Sequence, residues 1–342
     1  MKKHLNTLFV TTQGAYLAKD GETVAVRVEK KVCLRVPVHT LDGIVCFGNV
    51  GCSPFLLGFC AEKDVAVSFL TENGRFLASV RGPVNGNVLL RRKQYRMADD
   101  LDFSAAMARY FITGKVGNCR YLLLRTLRDH GDRVDDKAIS HAIDRMTASL
   151  ARLRGDLDLE ETRGVEGDAA RVYFEIFNHL IIKNKEDFFF NGRSRRPPLD
   201  RCNCLLSFLY VLLMHDVRSA LESTGLDPGV GYLHRDRPGR SGLALDMMEE
   251  FRPMADRLAL SLINRGQVGA KGFNITGSGA VRMNDKTRKT VLVAYQNKKQ
   301  DVVNHPFLRE KMPLGLVYHT QALLLARYLR GEMDGYPAVV WR

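Results

Sequence analysis

Apolar and polar residues alternate in short runs over the first 82 positions. NTLFVTT, AYLAKD, TVAVRVE and VCLRVPV are rich in β-branched residues, follow a period of two and are separated by turns such as KDGE, so they predict strands. HTLDGIVCFGN and AVSFLTENGRFLASV continue the pattern, with Glu72-Asn73-Gly74 as a hairpin turn. SPFLLGFCAEKD interrupts it as one helix, with Ser53 as the cap and Pro54 in the first turn. RGPVNGN, at 81–87, gathers two glycines, a proline and two asparagines and reads as a hinge.

Beyond the hinge the period changes. VLLRRKQYRMA, FSAAMARYFITGKVGNCRYLLLRTLRD, LDRCNCLLSFLYVLLMHDVRSALEST and LALDMMEEFRPMADRLALSLINR place apolar residues at i, i+3, i+4 and i+7 and predict helices. FNITGSGAVRM is the exception, a small hairpin around Gly277-Ser278-Gly279 with a helix starting near Asn284-Asp285. The fold class is therefore α+β: a β-rich domain over 1–82, then a larger all-α domain over 83–342.

Composition narrows the function. No run approaches the roughly 20 apolar residues that span a bilayer, and the opening MKKHLNTLFVTTQGAY lacks the apolar core and cleavage site of a signal peptide. Seven cysteines without a disulfide-like spacing read as reduced thiols, and a cytoplasmic protein with no membrane partner is expected. The net charge of +13 favours a polyanionic partner. It is uneven: residues 1–85 hold 10 Lys+Arg against 7 Asp+Glu, and the rest of the chain holds most of the excess.

Two segments carry candidate chemistry. In LHRDRPGRSGLALDMMEEFRP, Leu245, Met247, Met248 and Phe251 share an apolar arc, and Asp246, Glu249 and Glu250 fall opposite it. Geometry alone makes those acids a solvated face. Three acids within one turn repel one another, however, and the RDRPGRSG loop returns His234 towards them, so a metal site is the competing reading. An imidazole with carboxylates suits Mn²⁺ or Mg²⁺. In VEGDAARVYFEIFNHLI, Glu166 shares a stripe with Ala169, Ala170, Tyr173 and Phe177. A carboxylate there is either a helix N-terminal residue stabilised by the dipole or a ligand whose partners lie elsewhere in the chain.

Taken together, VEGDAARVYF, RSRRPPLDRCNCLLSFLYVLL, GLDPGVGYLH and SGLALDMMEEFRP, with the β-rich opening, resemble the universal CRISPR adaptation integrase, a metal-dependent DNA endonuclease and strand transferase. NTLFVTTQGAYL and VSFLTENGRFLASVRGPVNGNVLLRR are most similar to the version found with type I-C systems. The resemblance implies that Glu166, His234 and Glu249 hold Mn²⁺ or Mg²⁺, with Asp246 as a supporting catalytic group and Glu250 a bystander. Asp168 stands where a smaller residue is common in the family and is expected to face away. The resemblance further implies a homodimer formed through the β-rich domains and a heterohexamer with a small ferredoxin-like second adaptation subunit. A RecB-like trimming nuclease usually accompanies such systems.

The implied reaction joins a 3′-hydroxyl of captured double-stranded DNA to a phosphodiester of the CRISPR repeat. A purely hydrolytic metal-dependent nuclease acting on branched or single-stranded DNA is the alternative, and a non-enzymatic basic scaffold is a third. Between 265 and 311 there are ten Lys+Arg and three Asp+Glu, including KTRK at 286–289 and NKK at 297–299. These, with Arg193, Arg195 and Arg196, are expected DNA-backbone contacts, and Arg240 and Arg252 are expected to pair with the acids or meet a phosphate.

Overall fold

The computed structural model describes residues 6–80, 82, 87–235 and 237–341, so most of the hinge expected at 81–87 lies outside the described residues. The β-rich opening runs β1 (Asn6–Val10), β2 (Tyr16–Asp20), β3 (Thr23–Val28), β4 (Lys31–Pro37), β5 (Leu41–Phe47), β6 (Gly51–Cys52), α1 (Pro54–Glu62), β7 (Ala66–Leu70) and β8 (Phe76–Val80). Helices follow: α2 (Val88–Asp99), α3 (Leu101–His130), α4 (Asp136–Arg152), α5 (Leu159–Glu175), α6 (Arg201–Ser223), α7 (Gly242–Met248) and α8 (Arg252–Asn264). The chain ends with the hairpin β9 (Phe273–Ile275) and β10 (Val281–Met283), α9 (Asp285–Gln300), the hairpin β11 (Val302–Asn304) and β12 (Lys311–Pro313), and α10 (Leu314–Arg330). The class is α+β, as the periodicity predicts.

In the β-rich unit, β1, β5 and β7 pair in parallel and β8 closes that sheet antiparallel to β7. A second sheet has the order β4-β3-β2-β6, with β2–β3 and β3–β4 antiparallel and β2–β6 parallel; β2 and β3 are buried at its centre and β4 is largely exposed at its edge. Leu17, Val24, Ile44, Cys46, Leu56, Phe59 and Val67 share one core. Ser53 caps α1 through the Leu56 N–H, with Pro54 at the first helical position. α9 packs in this unit as well. It buries Val291, Leu292 and Tyr295, and Lys299 donates to Thr7 Oγ1 at 3.2 Å. A division of the chain at residue 82 leaves α9 with the other helices. The stripe of α9 shows that it is a helix and not which partner covers it.

The helical unit holds α2–α8, α10 and the β11–β12 hairpin. Its axis is α3, which packs against α4, α5, α8 and the turn between α7 and α8. α6 is long and apolar enough to cross a membrane, but most of it is buried against α7, α8 and α10. All seven cysteines are free.

Candidate functional site

The segment read as one helix over 243–265 is three pieces: α7, a 3₁₀ turn at Glu249–Phe251, and α8. Pro253 explains the break. It has no N–H to return to the Glu249 carbonyl four residues back, and its ring crowds that carbonyl. The tightened turn gives Glu249 and Glu250 separate surroundings.

None of the three acids is on a solvated face; Asp246, Glu249 and Glu250 are 0, 3 and 0% exposed. That overturns the bland helical-wheel reading, because a wheel sees only one helix. The opposite side of α7 and the turn is covered by the 226–241 loop, α3, α10 and the C-terminal segment.

Asp246 organises the loop that carries His234. Its Oδ2 accepts the N–H groups of Tyr232 and Leu233 at 2.6 and 3.0 Å, and its Oδ1 accepts the His234 N–H at 2.9 Å. His234 Nδ1 lies 2.7 Å from Oδ1. An ionised Asp246 only accepts, so Nδ1 carries the proton and Nε2 keeps its lone pair for a ligand. Two glycines permit this. A Cβ on Gly242 would meet the His234 carbonyl oxygen at 2.4 Å, and one on Gly231 would meet the Gly242 backbone at 2.6 Å and Asp246 Oδ2 at 2.9 Å. The loop is also tied to α5, where Arg163 donates to the Leu233 carbonyl at 2.7 Å.

Glu166 is two turns inside α5, which begins at Leu159 with an Asp158–Glu161 capping box. The dipole reading for Glu166 therefore fails: the helix N-terminus is elsewhere. Its carboxylate, 30% exposed, pairs with the ammonium of Lys115 on α3. The same ammonium lies 2.8 Å from Glu249 Oε2. Arg252 holds the other oxygen, Oε1, at 2.9 Å.

Burial opposes the charge on Glu249, but Arg252 and Lys115, with a contribution from His234 whenever its imidazole is protonated, hold its carboxyl down at about 2. Burial likewise disfavours the Lys115 ammonium, and Glu249 and Glu166 more than compensate, so its pKa rises. Arg252 also stacks on one side of Tyr210, 5.0 Å from the ring centroid, with Arg193 at 5.2 Å. Tyr210 donates to the buried Asp256 at 2.6 Å, whose carboxyl burial lifts to about 6.

Glu250 faces away from this cluster, towards α10 and the C-terminal segment. It accepts the Tyr336 hydroxyl and the Val339 N–H at 2.6 Å each, and Gln321 Nε2 at 3.2 Å. With no cation beside it, burial pushes its carboxyl up to about 8. Asn118 on α3 completes the anchor by donating to the carbonyls of Glu250 and Val339 at 2.7 and 2.8 Å. Asp168 does face away, paired with Arg145 and Arg171.

Among the described residues no three His, Cys, Asp or Glu side chains form a ready cage for a metal. Glu166 and Glu249 converge on one ammonium, with His234 near enough to act on Glu249 electrostatically. The donor set suits a hard divalent ion, and Glu249 Oε2 is buried with the Lys115 ammonium as its neighbour, a position that a cation fills. A small open space of about 50 Å³ adjoins these groups, lined by Lys115, Glu166, Arg193, Arg195, Tyr210 and Arg252 among others.

Lys115, Tyr210 and Asn118 escape sequence reading. For Lys115 a signal exists: with Ala108, Phe111, Ile112, Cys119 and Leu122 it completes a 3.6-period stripe, the anomaly that marks Glu166 on α5. The basic residues divide. Arg193 and Arg195 line the open space, whereas Arg288 and Lys299 are buried, 5 and 2% exposed, and cannot meet DNA as they stand. Arg288 instead pairs with Asp285 at 2.8 Å.

The profile of the family described as CRISPR associated protein Cas1 matches residues 8–297. The chain is 58% identical over its full length to the whole of CRISPR-associated endonuclease Cas1 1 of Chlorobaculum tepidum. It is 51% identical, again over the whole of both chains, to CRISPR-associated endonuclease Cas1 2 of Rhodospirillum rubrum. A Cas1 protein from Thermotoga maritima has a similar structure at TM-score 0.82 and 23% identity, covering 96% of this chain and 99% of that one. A casposase bound to its integration product has TM-score 0.84 and 23% identity, covering 98 and 94%. A chain of a Cas6-RT-Cas1–Cas2 complex has TM-score 0.81 and 22% identity, covering 98% of this chain and 36% of that one. At those identities the structural likenesses speak for the fold alone.

Proposed function

The chain belongs to the Cas1 family, the CRISPR-associated endonucleases and integrases of spacer acquisition, and on that footing we propose that Glu166, His234 and Glu249 are its metal ligands. The observation that carries this reading is the buried, fully ionised Glu249 meeting Glu166 through a single shared cation, with an imidazole oriented beside them. The ion is Mn²⁺ or Mg²⁺; when bound it polarises the scissile phosphate and lowers the pKa of the attacking hydroxyl. Asp246 is a positioning residue and not a ligand, because both its oxygens are taken up by the His234 loop. Arg252 keeps Glu249 ionised and in place. Arg193 and Arg195 present guanidinium groups to DNA phosphates entering the adjoining space.

The reaction joins the 3′-hydroxyl of a captured duplex to a phosphodiester of the CRISPR repeat. The attacking oxygen forms a new P–O bond as the P–O3′ bond of the repeat strand breaks; the hydroxyl proton passes to solvent and the leaving 3′-oxygen takes one up from solvent, so the displaced strand ends in a free 3′-hydroxyl. The sequence of the opening strands supports a type I-C context. The edge strand β4, with Val32 and Leu34 exposed, supports dimerisation through the β-rich unit. The Cas1–Cas2 complex among the structural neighbours supports assembly with a small second adaptation subunit. A trimming nuclease and a cytoplasmic location fit the same pathway.

Incubating the protein with a labelled duplex, supercoiled repeat plasmid and Mn²⁺, with and without the small partner, tests the assignment. Wild type yields joined product, and Glu166→Ala, His234→Ala and Glu249→Ala each lose it, on the order of 100-fold or more. Nicked plasmid without joining points to hydrolysis instead. Joining by all three variants at the wild-type rate rules out the ligand assignment.

A further inference from the structure

We propose that Lys115 is the resident occupant of the metal position, so that a divalent ion binds only as the Lys115 ammonium leaves. The inference rests on Glu166 and Glu249 being metal ligands and adds what the chain does before the ion arrives.

The geometry makes the two cations exclusive. The ammonium pairs with Glu166 and lies 2.8 Å from Glu249 Oε2. A divalent ion engaging both carboxylates at the usual ~2.0–2.2 Å would come within contact range of that ammonium. Charge points the same way. Two carboxylates face Lys115 and Arg252, so the group is already neutral. Adding an ion without removing a cation would set like charges together in a site whose acids are poorly solvated. The absence of a ready three-ligand cage among the described residues fits a site held by another cation.

Lys115 has somewhere to go. It lines the open space shared with Arg193 and Arg195, and four methylenes let its ammonium swing there without moving α3. That lining sets Arg193, Arg195 and Arg252 against Glu166 and Asp256, the latter already accepting from Tyr210, so an anion entering with the displaced ammonium gives it a further partner. A DNA phosphate is such an anion. Displacement of Lys115 therefore couples the two ligands: DNA raises the affinity for the ion, and the ion raises the affinity for DNA by the same factor. Without DNA, Lys115 occupies both acids and leaves the site weak for metal.

The test measures Mn²⁺ affinity of the full chain by calorimetry, with and without a short blunt duplex, together with melting in EDTA. Lys115→Met removes the competing charge and keeps the length. Its metal-free form melts lower, its DNA-free Mn²⁺ affinity rises roughly tenfold or more, and the enhancement by DNA shrinks. A purely structural lysine predicts the lower melting without the tighter binding, and Mn²⁺ affinity equal to or below wild type overturns the proposal. Lys115→Arg guards against a Met variant that does not fold. A guanidinium bridging two carboxylates is harder to displace, so Mn²⁺ binds several-fold more weakly; equal or tighter binding overturns the proposal. Glu166→Gln and His234→Gln separate the two layers. If wild-type Mn²⁺ binding ignores both, the ligand assignment fails and this inference with it. If both weaken binding while Lys115→Met matches wild type, only the inference fails.

Discussion

Asp246 accepts three main-chain N–H groups and the imidazole of His234, so on the proposed assignment it positions the histidine loop and leaves neither oxygen for an ion. Asp246→Asn replaces one acceptor oxygen with a donor, leaving at least one loop N–H opposed and releasing the tautomer of His234. Mn²⁺ affinity measured by calorimetry should fall about 10–100-fold, with far-UV circular dichroism unchanged. Wild-type affinity in the Asn variant would show that His234 needs no such orientation. At this scale the sequence was legible where a residue broke the rule of its own helix. Glu166 stood out as a carboxylate on an apolar stripe, and the structure gives it a cation. Lys115 broke the same rule on α3, but a lysine stem packs among apolar groups so readily that the anomaly is quieter. Glu250 was illegible, because its partners Tyr336 and Val339 lie 86 and 89 residues further along the chain.

The α7–turn–α8 segment shows what periodicity sees of an element and what it misses. The apolar stripe correctly predicts helix on both sides, and Pro253 marks the break. The stripe cannot say that the opposite side is also covered, because α3, α10 and the C-terminal segment are remote in sequence. That segment is bound through Glu250 and Asn118, and Gly114 on α3 makes room for it: a Cβ there would meet Glu250 Cγ at 2.7 Å. Glu250 also gives the anchoring of the C-terminal segment a pH dependence. Burial raises its carboxyl from 4.5 to about 8, so between those values the folded protein binds a proton that the unfolded chain has lost. This contribution to stability is fully present below about pH 4.5 and is lost as pH rises through about 8. Urea unfolding of metal-free Glu250→Gln should lack the part of the decline that wild type shows across this window, at up to ~1.4 kcal/mol per pH unit. Identical slopes in the two proteins would contradict it.

At the scale of the whole molecule, the two-part grammar of the chain was plain in its periods, two and then 3.6. α9 is where it gave no guidance, since a helical stripe fits either unit. Net charge was informative in sign and poor in address. Buried Arg288 and Lys299 belong to the packing of α9, while Arg193 and Arg195 line the open space. Fluorescence titrations of a labelled duplex over a range of salt should separate them. Arg195→Ala lowers the slope of log affinity against log salt by about 1, and Arg288→Ala leaves it unchanged. The reverse would put the DNA path on α9. All of this depends on His234, Glu166 and Glu249 sharing one ion, and pulsed electron paramagnetic resonance of the Mn²⁺-loaded protein reads that directly. The account predicts a histidine nitrogen coupling to Mn²⁺ in wild type that disappears in His234→Gln; a spectrum without nitrogen coupling, or a coupling that survives the substitution, would contradict it.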